Sequence, residues 1–246
     1  MEETAMQTLN PTVKGLFPTN PPPPSGCDGT LLPVVMVHGF LAAGDTYAPF
    51  LIRFHSNGYC LNRLFAFDWN SISGTNTVAA LDAFINDVLA ETGATQVNLM
   101  GHSAGGEIAA LLHYDESYLH LAGTQQRPCG FIGLSGPYDF LPLVGGPLEQ
   151  IFPPATRASS QPVNFVTGDE GPALLIHGYL DNTVKPRNSA KLAERVTAAG
   201  GKAQLIIVPE RQHASIVLAL ARPLSWLAPV AHDVNAFVRT NACAAG

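Results

Sequence analysis

Residues 97–106 read VNLMGHSAGG, and residues 107–112 continue with EIAALL. The first part is an apolar run typical of a buried strand, and the last part favours a helix. Between them Gly101, Ser103 and Gly105 form the pattern G-x-S-x-G at a strand-to-helix turn. In this context the serine has a strained backbone that exposes its hydroxyl, and both glycines are a steric demand. The segment predicts a nucleophilic Ser103 in a parallel-sheet fold.

Apolar runs of the same kind recur along the chain. They span residues 34–37, 64–67, 131–134, 173–176 and 203–208, and helical patterns lie between them at 46–56, 77–92, 105–122, 186–199 and 224–240. Continuous apolar strands indicate a parallel sheet that is covered on both faces. Their alternation with helices indicates a doubly wound arrangement. We therefore predict an α/β fold: a mostly parallel, doubly wound sheet with helices on both faces. In the helix at 77–92, spacing directs Asp82, Asn86 and Asp87 to solvent.

The 246 residues are interpreted as one folded domain with an arm. Residues 1–30 are rich in Pro, Thr, Asn and Gly and predict an irregular N-terminal arm. Residues 31–246 form the predicted catalytic domain. Within it, the proline-rich segment 139–167 breaks the alternation and predicts a small cap or lid-like insertion.

Composition excludes several classes of protein. A net charge of −6 without Lys/Arg clusters argues against a nucleic-acid partner. Hydrophobic residues at 46% and charged residues at 13% argue against disorder. No apolar run approaches the ~18–20 residues of a membrane span, and the first residues do not resemble a signal peptide. We expect a cytoplasmic protein or an exported mature form without its leader.

The cysteines lack a C-x-x-C motif and therefore indicate neither a zinc site nor a redox site. We interpret them as buried or unpaired thiols, with one or two disulfides as the alternative for an exported enzyme. The four residues are Cys27, Cys60, Cys129 and Cys243.

A serine nucleophile needs a base, and the base needs an acid to orient it. In this kind of fold the chain order is serine, acid, histidine. Asp181 follows the strand 173–176, and His213 follows the strand 203–208 and opens an apolar helix. Both lie just past carboxyl ends of strands, where such sheets place their sites. We predict Ser103, Asp181 and His213 as the catalytic residues, with Asp139, after the strand 131–134, as the alternative acid.

Two backbone N–H groups are expected to form an oxyanion hole. One belongs to Ala104, at a helix N-terminus, and the other to Phe40, in the loop after the first strand. His38 is interpreted as a structural brace of that loop, and His177 as a core or supporting residue. Trp69 fits either a position in the pocket or one in the core. His232 fits a surface or interhelical position. Solvated positions are expected for the loop carboxylates Asp169, Glu170 and Glu210. A solvated helix face, rather than a metal site, is expected where the spacing of metal ligands is absent, at His113, Asp115, Glu116 and His120.

The residues resemble those of the α/β-hydrolases over roughly residues 31–240. The stretches PVVMVHGF (33–40), NRLFAFDWN (62–70) and VNLMGHSAGG (97–106) are similar to bacterial secreted lipases and esterases. The later stretches GHSAGGEIAALLHYDESYL (101–119), GFIGLSGPYDF (130–140), LLIHGYLDNTVKP (174–186) and HASIVLALA (213–221) are more similar to the carboxylesterase and arylformamidase-like branch. That branch usually carries a His-Gly-Gly-Gly motif, which residues 38–41 lack. The chain therefore resembles a mosaic, natural or engineered, with its seam near residues 101–106.

Together, the residues and the resemblance predict a carboxylic ester hydrolase that works through an acyl-enzyme. The expected substrate is a small-molecule or lipid-like ester of short to medium acyl chain, and no metal or organic cofactor is needed. The alternatives are an arylformamidase-like amide hydrolase and a catalytically inactive binding protein of the same fold. The oligomeric state stays open.

Overall fold

Six parallel strands form the centre of the protein. The computed structural model describes residues 26–72, 77–121, 127–143, 145–146 and 148–240, without the side chains of 119–121. The strands lie in the order β2-β1-β3-β4-β5-β6, and every neighbouring pair is parallel. This confirms the predicted parallel sheet. The strands are β1 (Val34–Val37), β2 (Leu64–Phe67), β3 (Asn98–His102), β4 (Gly130–Leu134), β5 (Ala173–Gly178) and β6 (Ala203–Val208).

Helices connect the strands. They are α1 (Ala48–Ser56), α2 (Thr77–Thr92), α3 (Ala104–Tyr114), α4 (Glu116–Leu121), α5 (Leu148–Ile151), α6 (Arg187–Ala198), α7 (His213–Leu218) and α8 (Val230–Thr240). Short 3₁₀ helices span Gly44–Tyr47, Leu61–Arg63, Pro162–Phe165 and Arg222–Leu227. No helix in the described ranges is long and apolar enough to cross a membrane.

Two predicted helices are each divided in the structure. The helix expected at 105–122 ends at Asp115, whose backbone is extended and whose side chain accepts the N–H of Ser117 at 2.9 Å, so that it caps α4. Ala122 lies outside the described residues. The helix expected at 224–240 is interrupted at Ala228, which is extended because it precedes Pro229. Local capping and proline chemistry therefore overrode the continuous apolar pattern.

Each face of the sheet carries its own apolar core. Alternate residues of β1 point to opposite faces: Met36 packs with residues of α1, α7 and α8, and Val35 packs with residues of α2, α3 and α6. This confirms helices on both faces. Asp82, which was expected in solvent, is 2% exposed. Helix α2 contacts α3 and α4 as well as β2, so a flank that the spacing assigned to water is covered.

The N-terminal end of the described chain is attached beside α1. Cys27 and Cys60 form a disulfide, and the N–H of Asp28 donates to the carbonyl of Gly58 at 2.8 Å. None of the described cysteines is a free thiol, so the interpretation as unpaired thiols is wrong for them. Cys243 and residues 1–25 of the predicted arm lie outside the described residues. Spacing alone could not reveal the pairing, because the two cysteines lie 33 positions apart and the chain between them folds back through β1 and α1.

The segment 139–167 contains only short elements among its described residues. Helix α5 and the 3₁₀ helix Pro162–Phe165 are joined by turns, and the rings of Phe140 and Phe152 lie 5.0 Å apart. Leu148 and Ile151 of α5 are exposed. The segment therefore carries an apolar side chain pair on its surface.

His113 of α3 is buried, so its predicted solvated position is wrong. Its ring is 1% exposed, and Nε2 lies 3.0 Å from the carbonyl oxygen of Gly171. Burial lowers the pKa of His113 from 6.5 to about 4. The side chain of His120, expected on the same face, lies outside the described residues.

Acid is expected to destabilise the protein through His113. The unfolded residue takes up a proton near its ordinary pKa of about 6.5, whereas the folded residue does so only near about 4. Between these values the unfolded state binds more protons, so the free energy of unfolding falls as the pH falls, by about 2 kcal/mol from pH 7 to pH 5. Urea unfolding at both pH values measures this loss. His113→Gln should lose about 2 kcal/mol less over the same interval, and an equal loss in both proteins would contradict the assignment.

Candidate active site

Ser103 forms the turn between β3 and α3. The strand ends at His102 and the helix begins at Ala104, so a single residue reverses the chain direction. Ser103 has φ 55° and ψ −127°, a conformation that residues other than glycine rarely adopt. Its N–H donates to the carbonyl of Leu134 at 3.0 Å. The half-buried side chain is thereby presented at the carboxyl edge of the sheet, as the sequence predicts.

The two flanking glycines allow this turn. A Cβ atom at Gly101 would lie 2.2 Å from the carbonyl oxygen of Gly105, and one at Gly105 would lie 2.2 Å from that of Val37. Backbone atoms cannot move away as a flexible side chain could. The predicted steric demand for glycine is therefore confirmed at both positions.

The loops that follow β5 and β6 are bonded to each other. The N–H of Tyr179 donates to the carbonyl of Val208 at 2.9 Å, and that of Leu180 donates to the carbonyl of Arg211 at 2.8 Å. A Cβ atom at Gly178 would lie 2.5 Å from the same Arg211 oxygen, so glycine permits this approach. These contacts bring Asp181, in the first loop, next to the start of α7.

Asp181 and His213 are in direct contact. The Nδ1 atom of His213 lies 2.7 Å from Oδ2 of Asp181, which is 1% exposed. The other oxygen, Oδ1, accepts the N–H groups of Thr183 and Val184, both at 2.9 Å. Because a carboxylate only accepts hydrogen bonds, Nδ1 of His213 carries a proton in this contact, and Nε2 of the neutral ring is an acceptor.

Local chemistry also fixes the start of α7. Gln212 and Ser215 form a capping box, in which the Ser215 hydroxyl lies 2.8 Å from the N–H of Gln212 and the Gln212 side chain accepts a backbone N–H in return. The helix therefore begins at His213, as predicted, and the ring position follows from the cap.

His102, the residue before Ser103 in the turn, lies beside His213 and was not identified as a site residue from the sequence. Its ring centroid is 4.8 Å from that of His213. Burial, followed by proximity to His213, lowers the pKa of His102 to about 3. The ring is therefore neutral near pH 7 and places no positive charge beside His213. The one feature of the sequence that could have identified His102 is its position immediately before Ser103.

The loop after β1 comes close to Ser103. A Cβ atom at Gly39 would lie 3.1 Å from the Ser103 Cβ atom. Phe40, which follows, is 54% exposed, and the N–H of Leu41 donates to the Ser71 hydroxyl at 3.0 Å. Ala104 is the first residue of α3, so its N–H has no acceptor within the helix and lies at the positive end of the helix dipole. Both N–H groups predicted for the oxyanion hole thus belong to segments beside Ser103.

His38 braces this loop, as predicted. Its Nδ1 atom lies 2.8 Å from the carbonyl oxygen of Gly39, and Nε2 lies 3.1 Å from the backbone nitrogen of Trp69. The indole N–H of Trp69 donates to the carbonyl of His38 at 2.9 Å, and the two rings stack. Trp69 is half-buried and packs against the core cluster of its sheet face, which favours the core interpretation.

The alternative acid, Asp139, does not occupy the position of Asp181 beside His213. Its backbone N–H donates to the side chain of Asn188 at 2.9 Å. Glu170 is 9% exposed and accepts the N–H groups of Thr167 and Gly168, so its predicted solvated position is wrong. The predicted surface positions are confirmed for His232, Asp169 and Glu210.

A groove of about 460 Å³, with polar and apolar surface in about equal parts, runs beside His213. It is lined by residues 182–183 and 210–215, which belong to the two loops that carry Asp181 and His213. Arg211 on its wall packs over the exposed ring of Trp226. Among the residues that the structure describes, no group of three or more His, Cys, Asp or Glu side chains is arranged to hold a metal ion.

Known proteins share this architecture. A "Novel thermophilic esterase" from Thermogutta terrifontis with propionate bound is 16% identical, with a TM-score of 0.69 over 92% of this chain and 89% of that one. A "Truncated form of carbohydrate esterase from gut microbiota" is 18% identical, with a TM-score of 0.68 over 87% of each chain. A monoacylglycerol lipase from Paleococcus ferrophilus is 16% identical, with a TM-score of 0.63 over 86% of this chain and 96% of that one.

A family model extends across both parts of the chain that resemble different branches. The model of the prolyl oligopeptidase family matches residues 58–232, which include the region 101–106 where the two resemblances meet. The six-stranded parallel sheet and the solved structures agree on the predicted fold. The chain therefore has the α/β-hydrolase fold and belongs to the prolyl oligopeptidase family.

Proposed function

We propose that the protein is a carboxylic ester hydrolase in which Ser103, His213 and Asp181 form a catalytic triad. The observation that carries the proposal is the 2.7 Å contact between Nδ1 of His213 and Oδ2 of Asp181. This contact orients the imidazole of His213, whose Nε2 is an acceptor. The ring lies at the same sheet edge as Ser103, which has the strained backbone of a strand-to-helix turn. The esterase and lipase descriptions of the similar structures support ester substrates.

The reaction follows from the chemistry of these groups. The Ser103 hydroxyl attacks the ester carbonyl carbon, and Nε2 of His213 takes its proton. The N–H groups of Phe40 and Ala104 donate to the oxyanion of the tetrahedral intermediate. The intermediate collapses to an acyl-enzyme as His213 gives the proton to the leaving alcohol. A water molecule, deprotonated by His213, then attacks the acyl carbon, and collapse releases the acid and restores the Ser103 hydroxyl.

Short to medium acyl chains are the proposed substrates. The segment 139–167 contributes only short helices and turns among its described residues, which supports a small cap rather than a large lid. The Thermogutta terrifontis esterase is described with propionate and with butyrate bound, which supports short acyl groups. The groove beside His213 supports a leaving alcohol that carries some polar groups, because part of its wall offers hydrogen-bond donors and acceptors.

A series of p-nitrophenyl esters from acetate to palmitate tests this proposal. We expect kcat/KM to be highest for short to medium chains and to fall toward palmitate, because a small cap offers little apolar surface for a long chain. A maximum at the longest chains would refute the acyl preference alone. No hydrolysis of any ester would refute the ester hydrolase itself.

Amide hydrolysis is the second candidate, and the match to the prolyl oligopeptidase family supports it. The same nucleophile can cleave amides when the leaving amine is protonated by His213. Matched substrates that differ only in the scissile bond, an aryl ester and the corresponding N-formyl aryl amide, separate the two activities. We expect a higher kcat/KM for the ester, and a higher value for the amide would favour the second candidate.

A further inference from the structure

A second histidine contacts the same carboxylate oxygen as His213. His177 is the fifth residue of β5 and is fully buried. Its Nε2 atom lies 3.2 Å from Oδ2 of Asp181, the oxygen that also contacts Nδ1 of His213. Asp181 is therefore held by two imidazoles at Oδ2 and by two backbone N–H groups at Oδ1.

The surroundings of His177 determine which of its two nitrogens carries the proton. Nε2 lies 2.8 Å from the carbonyl oxygen of Val184, which can only accept, so Nε2 carries a proton. Nδ1 lies 2.7 Å from the hydroxyl of Ser189, and both residues are fully buried. Burial lowers the pKa of His177, so the ring is neutral and holds one proton. Nδ1 is then an acceptor, and the Ser189 hydroxyl donates to it.

The donor directions form a chain from α6 to the proposed base. We propose that Ser189 and His177 are positioning residues: Ser189 holds the His177 ring at Nδ1, so that Nε2–H, which faces the Val184 carbonyl and Oδ2 of Asp181, helps to keep that carboxylate in place for His213. The proposal rests on the proposed function, because the oriented group is the acid of the proposed triad. Neither residue touches the substrate.

Loss of the Ser189 hydroxyl would leave the buried Nδ1 atom of His177 without its donor and the ring less firmly held, although the proton would stay on Nε2. In the other tautomer the Nε2 lone pair would face two acceptors, the Val184 carbonyl and Asp181 Oδ2, which is repulsive. A ring that is less firmly held donates less well to Oδ2 of Asp181, and the carboxylate is then less well positioned for His213.

Other titratable groups surround the pair and are left unchanged by this loss. His102 of β3 lies against the His213 ring, and Glu210 and Arg211 line the groove beside it. Lys185, in the segment before α6, bonds to the side chain of Asn182. None of these side chains contacts Ser189 through a described hydrogen bond, so their charges are the same in a Ser189 variant.

The test is Ser189→Ala, with Thr197→Ala as the matched control. Thr197 is in the same helix, and its hydroxyl bonds only the carbonyl of Ala193 on the exposed side. We expect Ser189→Ala to lower kcat on p-nitrophenyl acetate about three- to tenfold, the range of one neutral hydrogen bond, with KM within about twofold. ¹⁵N-edited imidazole spectra should show the Nδ1 signal of His177 moved, because it has lost its donor, while the proton stays on Nε2. Thr197→Ala should change none of these.

A double-mutant cycle separates this chain of contacts from a general packing effect. In His177→Gln the side-chain amide can donate to the Val184 carbonyl without help from Ser189, so adding Ser189→Ala should change kcat little further. Equal effects of Ser189→Ala in both backgrounds would overturn the proposal. So would unchanged ¹⁵N shifts of His177 in Ser189→Ala. The spectra need no substrate, so an enzyme that hydrolyses no ester refutes the proposed function while the tautomer assignment is judged separately.

Discussion

Ser103→Ala is expected to lower kcat for p-nitrophenyl acetate at least about 10⁴-fold, to a level set by background hydrolysis. The variant retains His213, Asp181 and the backbone N–H groups, but no group remains that can form the acyl-enzyme. The fold should be unaffected, because alanine and serine have the same Cβ and the same restriction at the φ of 55° that Ser103 adopts. Steady-state kinetics and thermal unfolding of the two proteins measure both parts of this expectation.

Ser135→Ala provides the matched control for this change. Ser135 follows β4 at the same sheet edge, also has a positive φ of 51°, and its buried hydroxyl has no hydrogen-bond partner among the described residues. Its loss should change kcat less than about twofold. A fluorophosphonate probe should label the wild type and Ser135→Ala but not Ser103→Ala. Equal labelling of all three proteins would exclude Ser103 as the nucleophile, and no labelling of any would favour the inactive binding protein.

Most of the fold could be predicted because the strands are buried on both faces. The apolar runs at 34–37, 64–67 and 203–208 coincide with the strands residue for residue. A short run that is apolar throughout fits few structures other than a buried strand. Helix ends were less predictable, since the cap at Asp115 and the effect of Pro229 are local features that apolar spacing does not register.

The contact between Asp181 and His213 could also be predicted, because both residues follow strands that end at one edge. The supporting contacts could not. His177 was expected to be a core or supporting residue, but its partner Ser189 lies in α6, and sequence position contains no signal for this pairing. His113 and Glu170 were placed in solvent by residue type, whereas hydrogen bonds compensate their burial: His113 bonds to the carbonyl of Gly171, and Glu170 accepts the nearby N–H groups of Thr167 and Gly168.

Asp181→Asn is expected to lower kcat/KM at neutral pH about 10³- to 10⁴-fold. The two backbone N–H groups of Thr183 and Val184 require the amide oxygen at the position of Oδ1. The amide NH₂ then faces His213, whose Nδ1 must accept, so that the ring proton moves to Nε2. A protonated Nε2 cannot take the proton of Ser103. The NH₂ also meets the Nε2–H of His177, donor against donor, which His213 alone cannot relieve.

Asp139→Asn tests this explanation against its alternative, since it makes the same chemical change at the other candidate acid. The backbone N–H of Asp139 is bonded to Asn188, and this contact does not depend on the carboxylate. We therefore expect kcat/KM within about twofold of the wild type for Asp139→Asn. ¹⁵N spectra should show the Nδ1–H tautomer of His213 in this control and the Nε2–H tautomer in Asp181→Asn. A large loss in Asp139→Asn with a small one in Asp181→Asn would transfer the role of the acid to Asp139, because only the residue that sets the His213 tautomer can produce this pattern.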